Sequence, residues 1–352
     1  LQEQGEARLQ PIPPTSVTSA AMPSSPNSKN APNSPNRWVL GARVRTLPAA
    51  IVPVLLGTAV AWGQPTQLSI DAPWSGLSGA RSPVPWERNQ PVDWLNFCCA
   101  LVVALALQVA TNYANDYSDG KRGTDDPSQR VGPPRLVGNG LATAAEVKRA
   151  MMGAFAVALV SGGVLVLRVG WELIPIGLAA VAAGYFYTGG PKPYGYLGLG
   201  EMFVFVFFGL VATIGSAYVQ TGEIGWLATV CGVAAGSLAT AILVTNNLRD
   251  IPGDTVAGKR TLAVKLGDQK TRLLYVALLV VPILLLPIIA GLGARPLGTL
   301  AFLAVMVSTK PIQRVLEGAS GLALIPVLQQ TAKTQLVYGC LLSFGMVVST
   351  YI

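Results

Sequence analysis

Two carboxylate clusters stand out in a chain otherwise poor in charge: Asn115-Asp116-Tyr117-Ser118-Asp119 and Arg249-Asp250-Ile251-Pro252-Gly253-Asp254. Each closes an apolar run. Asp116 and Asp119 are three residues apart, Asp250 and Asp254 four, so each pair falls on one face of a helical extension. Oxygen ligands of this kind suit Mg²⁺, which keeps several waters and is typically held by one or two carboxylates plus substrate phosphates. Lys121, Arg122, Arg130, Arg135, Arg249, Lys259 and Arg260 lie close by in sequence and can take the remaining phosphate charge, the arginines bidentately. The chemistry this points to is ionisation of an allylic diphosphate. Metal and cations neutralise the leaving group, and a dry apolar cavity shelters the carbocation from water.

The clusters also match each other. Thr111-Asn112 precede Asp116 by five and four residues, Thr245-Asn246 precede Asp250 by the same offsets, and a Gly-Lys-Arg triplet follows each, at 120–122 and 258–260. This is a degenerate internal repeat with the clusters as counterparts. Charges also gather at helix ends simply because they cannot enter lipid, which accounts for one aspartate but not for two matched sets. Asn112, Asn115, Asn246 and Asn247 divide between substrate contact and interhelical hydrogen bonding. Glu201 divides between complementing a helix N-terminus and a role in the site. Lys192 reads as an interface anchor, and Tyr117, Tyr185, Tyr187, Tyr194 and Tyr196 as interface residues rather than cation stabilisers.

The elements that must position these groups are membrane helices. With 51% hydrophobic and 12% charged residues and a mean hydropathy of +0.49, the chain is too apolar for a soluble enzyme of its length and reads as an all-α polytopic membrane protein. Apolar stretches predict nine spans, at 45–63, 94–115, 145–167, 171–188, 199–218, 225–247, 272–291, 296–313 and 333–352, each near the roughly 20 residues a helix needs to cross hydrocarbon. Continuous runs such as 273–292 exclude an outer-membrane barrel. If the first span runs outward, twenty-one lysines and arginines share the side of the N-terminus, while Arg81, Arg88, Arg168 and Arg295 occupy the other. That asymmetry makes the net charge of +8 a topology signal rather than a nucleic-acid signal, and puts the N-terminus and both clusters on the cytoplasmic side.

Residues 1–36, rich in Pro, Ser and Asn, read as a disordered tail with neither signal-peptide nor transit-peptide pattern, ahead of a transmembrane domain at 37–352. Residues 64–93 form an outer loop, and 116–144 and 248–271 are cytoplasmic loops carrying the motifs. The stretch 188–198 is a tight Gly- and Pro-rich turn. The four cysteines fall inside predicted spans, which disfavours a disulfide or zinc framework, and the absence of histidine removes imidazole from any mechanism.

The Asn-Asp-x-x-Asp and Arg-Asp-x-x-x-Asp runs, with nine apolar spans, resemble the UbiA superfamily of intramembrane aromatic prenyltransferases over residues 40–352. Residues 42–48, 114–125, 246–251 and 258–262 resemble its 1,4-dihydroxy-2-naphthoate polyprenyltransferase (MenA-type) branch. The resemblance implies a nine-helix UbiA-type bundle in the cell membrane, with the active site on the cytoplasmic side. It also implies Mg²⁺-dependent transfer of a polyprenyl group from polyprenyl diphosphate to 1,4-dihydroxy-2-naphthoate with loss of the ring carboxylate, giving demethylmenaquinol. By the same resemblance Asp116, Asp119, Asp250 and Asp254 hold metal, supported by Asn112, Asn115 and Asn246. Lys121, Arg135, Arg249, Lys259 and Arg45 bind phosphate. Two departures accompany it. Gly123 replaces a further aspartate of the first motif, leaving Asp125 to serve, and Pro252-Gly253 are expected to interrupt the second motif helix.

Other acceptors, such as 4-hydroxybenzoate, haem, homogentisate or a chlorophyllide, share the same carboxylates. A transporter would carry its ionisable groups deep within the spans, and a membrane scaffold would leave the matched clusters unexplained. As surface carboxylates, Asp116 and Asp250 are expected to be removable without loss of folded protein.

Overall fold

The computed structural model describes residues 36–64, 92–124 and 132–352, and among them every regular element is helical. Nearly all of the predicted tail, most of the 64–93 loop and Asp125 lie outside the described residues. The chain enters through α1 (Arg37–Ala42) and α2 (Pro48–Ala61). The segment 37–46, made of α1 and a 3₁₀ turn joined at the left-handed Arg43 (φ 53°), meets α2 at 50°, where Pro48, preset for a first helical turn, restarts the helix. There follow α3 (Trp94–Arg122), α4 (Ala144–Arg168), α5 (Leu173–Phe186), α6 (Gly200–Thr221), α7 (Trp226–Val256), α8 (Leu262–Gly291), α9 (Ala304–Leu316), which is entered through the 3₁₀ turn Pro296–Leu303, and α10 (Leu324–Val348).

Helix occupies all nine places predicted for spans, but fewer of these helices meet the requirement for crossing a membrane. Among the described residues α3, α4, α6, α7 and α8 are long and apolar enough, and the bent entry pair would make a sixth. The others fall short for local reasons. The 14 residues of α5 reach about 21 Å at 1.5 Å per residue, against about 30 Å of hydrocarbon. The 296–316 stretch is partly 3₁₀, and α10 carries Gln329, Gln330, Lys333 and Gln335.

The two motif helices are the long ones. With 29 and 31 residues, α3 and α7 extend about 43 and 46 Å, so their last turns outrun the hydrocarbon and carry the carboxylates with them. Both motif segments predicted as loops therefore begin as helix, to Arg122 and to Val256. Nor do Pro252-Gly253 end α7: Pro252 lies inside it, since a proline removes a single backbone donor and only one turn remains. Each motif helix packs along the helix that follows it, α3 along α4 and α7 along α8, which repeats at the level of elements the internal similarity seen in the sequence.

Two apolar clusters hold these pairs. Leu56, Leu238, Tyr275, Leu286, Leu342 and Met346, all essentially inaccessible, join α2, α7, α8 and α10. Tyr113, Leu136, Val147 and Phe155 bind α3 to α4 and to the segment before it. α6 and α7 meet at glycines: a Cβ on Gly209 would stand 2.4 Å from the Gly236 Cα, and α6 widens there into a π-helical turn, Phe205–Val211. At the bundle end away from the carboxylates, Trp62, Trp94, Trp171 and Trp226 stand at or beside helix termini, as does the ion pair of Arg168 with Asp93 (2.6 Å).

Candidate active site

Asp116, on the penultimate turns of α3, is 1% exposed. One of its carboxylate oxygens accepts from Arg43 (2.8 Å) and from Arg135 (2.6 Å), the other from the backbone N–H of Leu136 (3.1 Å). The entry bend, the motif helix and the segment before α4 thus converge on one carboxylate. Asn112, one turn earlier, donates to the Ala42 carbonyl (3.0 Å), and the Tyr113 hydroxyl to that of Trp38 (2.9 Å), tying α1 to α3 beside Arg43.

Asp119, 3% exposed, accepts from the Tyr196 hydroxyl (2.5 Å) and from the Lys259 ammonium (3.3 Å). Lys259 also lies over the Tyr196 ring, 4.7 Å from its centroid, and the Arg122 guanidinium approaches the same ring at 5.5 Å. Burial, and next the Asp119 charge, hold the Tyr196 phenol above its ordinary value, so it keeps its proton and acts as a donor. Arg122 donates to the Thr188 and Gly190 carbonyls, and the Thr188 hydroxyl to Asn115 (2.8 Å). The α5–α6 turn is in turn bonded to the segment after α7: Arg260 N–H donates to the Tyr196 carbonyl (3.0 Å) and Lys265 to that of Leu197 (2.7 Å). What reads in sequence as a connector is a bracket joining both motifs.

On α7, Arg249 forks onto Asp250 with two bonds of 2.7 Å. Its guanidinium passes under Gly132, where φ is 157° and a Cβ would stand 3.3 Å from Cζ. Residue 132 thus lies over Arg249 by having no side chain, three residues before the arginine that holds Asp116. Asp254 accepts from the Thr261 hydroxyl (3.4 Å), and Lys259, five residues after Asp254, bonds Asp119 of the first motif (3.3 Å). The two clusters therefore form one site.

Of the residues expected there, the structure brings together Asp116, Asp119, Asp250, Asp254, Arg135, Arg249 and Lys259. Asn112 and Asn115 are engaged in holding the framework, Asn246 is half-buried on α7, and Lys121 and Arg45 are exposed. In place of Arg45, Arg43 reaches the site. An Arg-x-Arg string carries no sign of which arginine turns inward, and the left-handed turn at Arg43 decides it. Tyr196, read as an interface residue, is a donor to Asp119. Asp116 is not a surface carboxylate as expected but a buried one shared by two arginines.

Residues 82–317 match the UbiA prenyltransferase family. The chain is 44% identical over 303 residues (86% of it, 94% of the relative) to the 1,4-dihydroxy-2-naphthoate octaprenyltransferase of Mycobacterium tuberculosis. It is 34% identical over 321 residues (89% and 96%) to the enzyme of the same name from Escherichia coli K12. The chain belongs to the UbiA family. Its fold is similar to the apo structure of a UbiA homolog from Aeropyrum pernix K1 (TM-score 0.55, 16% identity, 87% of this chain and 97% of that one). It is also similar to a UbiA homolog from Archaeoglobus fulgidus bound to DMAPP and Mg²⁺ (TM-score 0.51, 13% identity, 88% and 99%). As a UbiA protein with several membrane-length helices, it is a multi-pass membrane protein. Among the described residues no three acidic side chains lie close enough to hold a metal unaided. An all-oxygen donor set of this kind would suit Mg²⁺, which is typically held by one or two carboxylates together with substrate phosphates.

Proposed function

We propose that this protein transfers a polyprenyl group from polyprenyl diphosphate to 1,4-dihydroxy-2-naphthoate with loss of carbon dioxide, giving demethylmenaquinol for menaquinone biosynthesis. The observation that carries this reading is the convergence of both aspartate pairs with Arg43, Arg135, Arg249 and Lys259 at one end of an apolar bundle. The similarity to named 1,4-dihydroxy-2-naphthoate octaprenyltransferases supports the acceptor. Mg²⁺ held by Asp116, Asp119, Asp250 and Asp254 together with the diphosphate would stabilise the charge of the leaving group.

The chain's own residues do the rest. Arg43, Arg135, Arg249 and Lys259 place positive charge where the diphosphate leaves, and Tyr196 fixes the orientation of Asp119. As the allylic C–O bond breaks, diphosphate departs with the electron pair, and the ring carbon bearing the carboxylate bonds to the allylic carbon. The carbon–carboxylate bond then breaks and its electron pair restores the aromatic ring. No proton changes hands, which suits a chain without histidine.

The same reading places nine helical segments across the cell membrane, with the N-terminus and the carboxylates on the cytoplasmic side. The distribution of lysine and arginine supports it. The test is turnover of labelled polyprenyl diphosphate by Asp116→Asn and Asp250→Asn. Each is expected to lose about a hundredfold or more of Mg²⁺-dependent transfer; near wild-type rates in both would overturn the assignment. Both variants are checked for folded protein, because removing Asp116 strands Arg43 and Arg135 and removing Asp250 strands the more deeply buried Arg249, changes worth about 3–5 kcal/mol of stability.

A further inference from the structure

Glu201, in the first turn of α6, is 5% exposed. One of its carboxylate oxygens accepts from the Asn247 amide (2.8 Å), while the other, Oε2, is buried and has no hydrogen-bond partner among the described residues. None of the ion pairs among those residues includes it. A carboxylate that merely complements a helix N-terminus stays in water, which supplies its remaining bonds. One withdrawn from water with an oxygen unmatched is unfavourable unless a donor arrives.

Its position says which donor. Asn247 stands one turn before Asp250 on α7, so Glu201 borders the second carboxylate pair on the side of the apolar spans. The Tyr187 phenol lies beside the preceding residue: a Cβ on Gly200 would stand 3.4 Å from its hydroxyl and 3.6 Å from Leu243. A single unmatched acceptor oxygen, with an aromatic ring and an aliphatic side chain packed against the neighbouring Gly200, fits a flat apolar molecule carrying a hydroxyl.

We infer that Glu201 binds the aromatic acceptor, its Oε2 receiving the hydrogen bond of a ring hydroxyl while Asn247 fixes the rotation of the carboxylate. This rests on the proposed function and deepens it. A hydroxyl-to-carboxylate bond is charge-assisted and roughly twice as strong as a neutral one. It also draws the hydroxyl proton towards Glu201 and raises electron density in the ring, making the attacking carbon more nucleophilic without requiring the proton to leave.

The test measures acceptor and donor KM separately, with full-length protein in nanodiscs, for wild type, Glu201→Gln, Glu201→Asp and Asn247→Ala. The acceptors are 1,4-dihydroxy-2-naphthoate and its two monomethyl ethers. Glu201→Gln is expected to raise the acceptor KM about tenfold or more with the donor KM unchanged, and to weaken equilibrium binding of the naphthoate without donor by a similar factor. Wild type is expected to disfavour one of the two ethers by a comparable factor, and Glu201→Gln to lose that distinction. Glu201→Asp, which keeps the charge, is expected to recover part of the binding, and Asn247→Ala to raise the acceptor KM more modestly. A shift in donor KM or Mg²⁺ dependence with the acceptor KM unchanged would assign Glu201 to the diphosphate and overturn the inference. So would a wild type indifferent to both ethers, a result that needs no variant to fold. Failure of the wild type to prenylate the naphthoate at all would overturn the functional reading instead, whatever the variants do.

Discussion

At the scale of single residues, the site is built from groups whose partners come from elsewhere in the chain, and this decides which of two similar side chains matters. Arg43 and Arg45 are chemically alike and two positions apart, but only Arg43, turned by its left-handed backbone, reaches Asp116. Arg43→Ala is therefore expected to cut transfer by about tenfold or more, as loss of a charge-assisted contact does, while Arg45→Ala leaves kcat/KM within about twofold. Steady-state rates with polyprenyl diphosphate decide between them, and equal losses in both would contradict the geometry. The carboxylates were legible in the sequence because acids are rare in this chain and their spacing repeats. Tyr196 and Arg43 were not, because a tyrosine near a predicted membrane boundary and an arginine in a basic string both have ordinary explanations. Only the fold of the α5–α6 turn onto the segment after α7 distinguishes Tyr196 from its neighbours.

At the scale of elements, the apolar periods located the helices well and misjudged their ends. The hydrophobic signal stops where polar residues begin, but α3 and α7 keep their backbone hydrogen bonds for about two further turns. That extension makes Asp116 with Asp119, and Asp250 with Asp254, the helical pairs that their three- and four-residue spacing predicts, although the stretches holding them read as loops. Hydropathy also does not show that α5 is only 14 residues long or that the 296–316 stretch begins as a 3₁₀ turn. The packing of α6 against α7 rests on bare glycine contacts invisible to hydropathy. Gly209→Ala places a methyl group against the Gly236 backbone and is expected to destabilise the bundle by about 1–3 kcal/mol. A thermal melt in detergent should show a lowered midpoint, and an unchanged one would mean that these helices are not in close contact.

At the scale of the whole molecule, the two ends of the bundle differ in chemistry. One gathers four carboxylates, four cations and a buried glutamate at the mouths of long apolar helices, and the other carries tryptophans and a separate arginine–aspartate pair. A diphosphate can be neutralised at the first end while its polyprenyl tail stays among apolar spans. The most direct measurement uses purified protein in nanodiscs with labelled polyprenyl diphosphate, offered 1,4-dihydroxy-2-naphthoate and 4-hydroxybenzoate in parallel, with Mg²⁺ present or chelated by EDTA. Prenylation of the naphthoate alone, abolished by EDTA and restored by Mg²⁺, is the expected result. Transfer only to the benzoate, or transfer to the naphthoate that persists without divalent metal, would contradict the account.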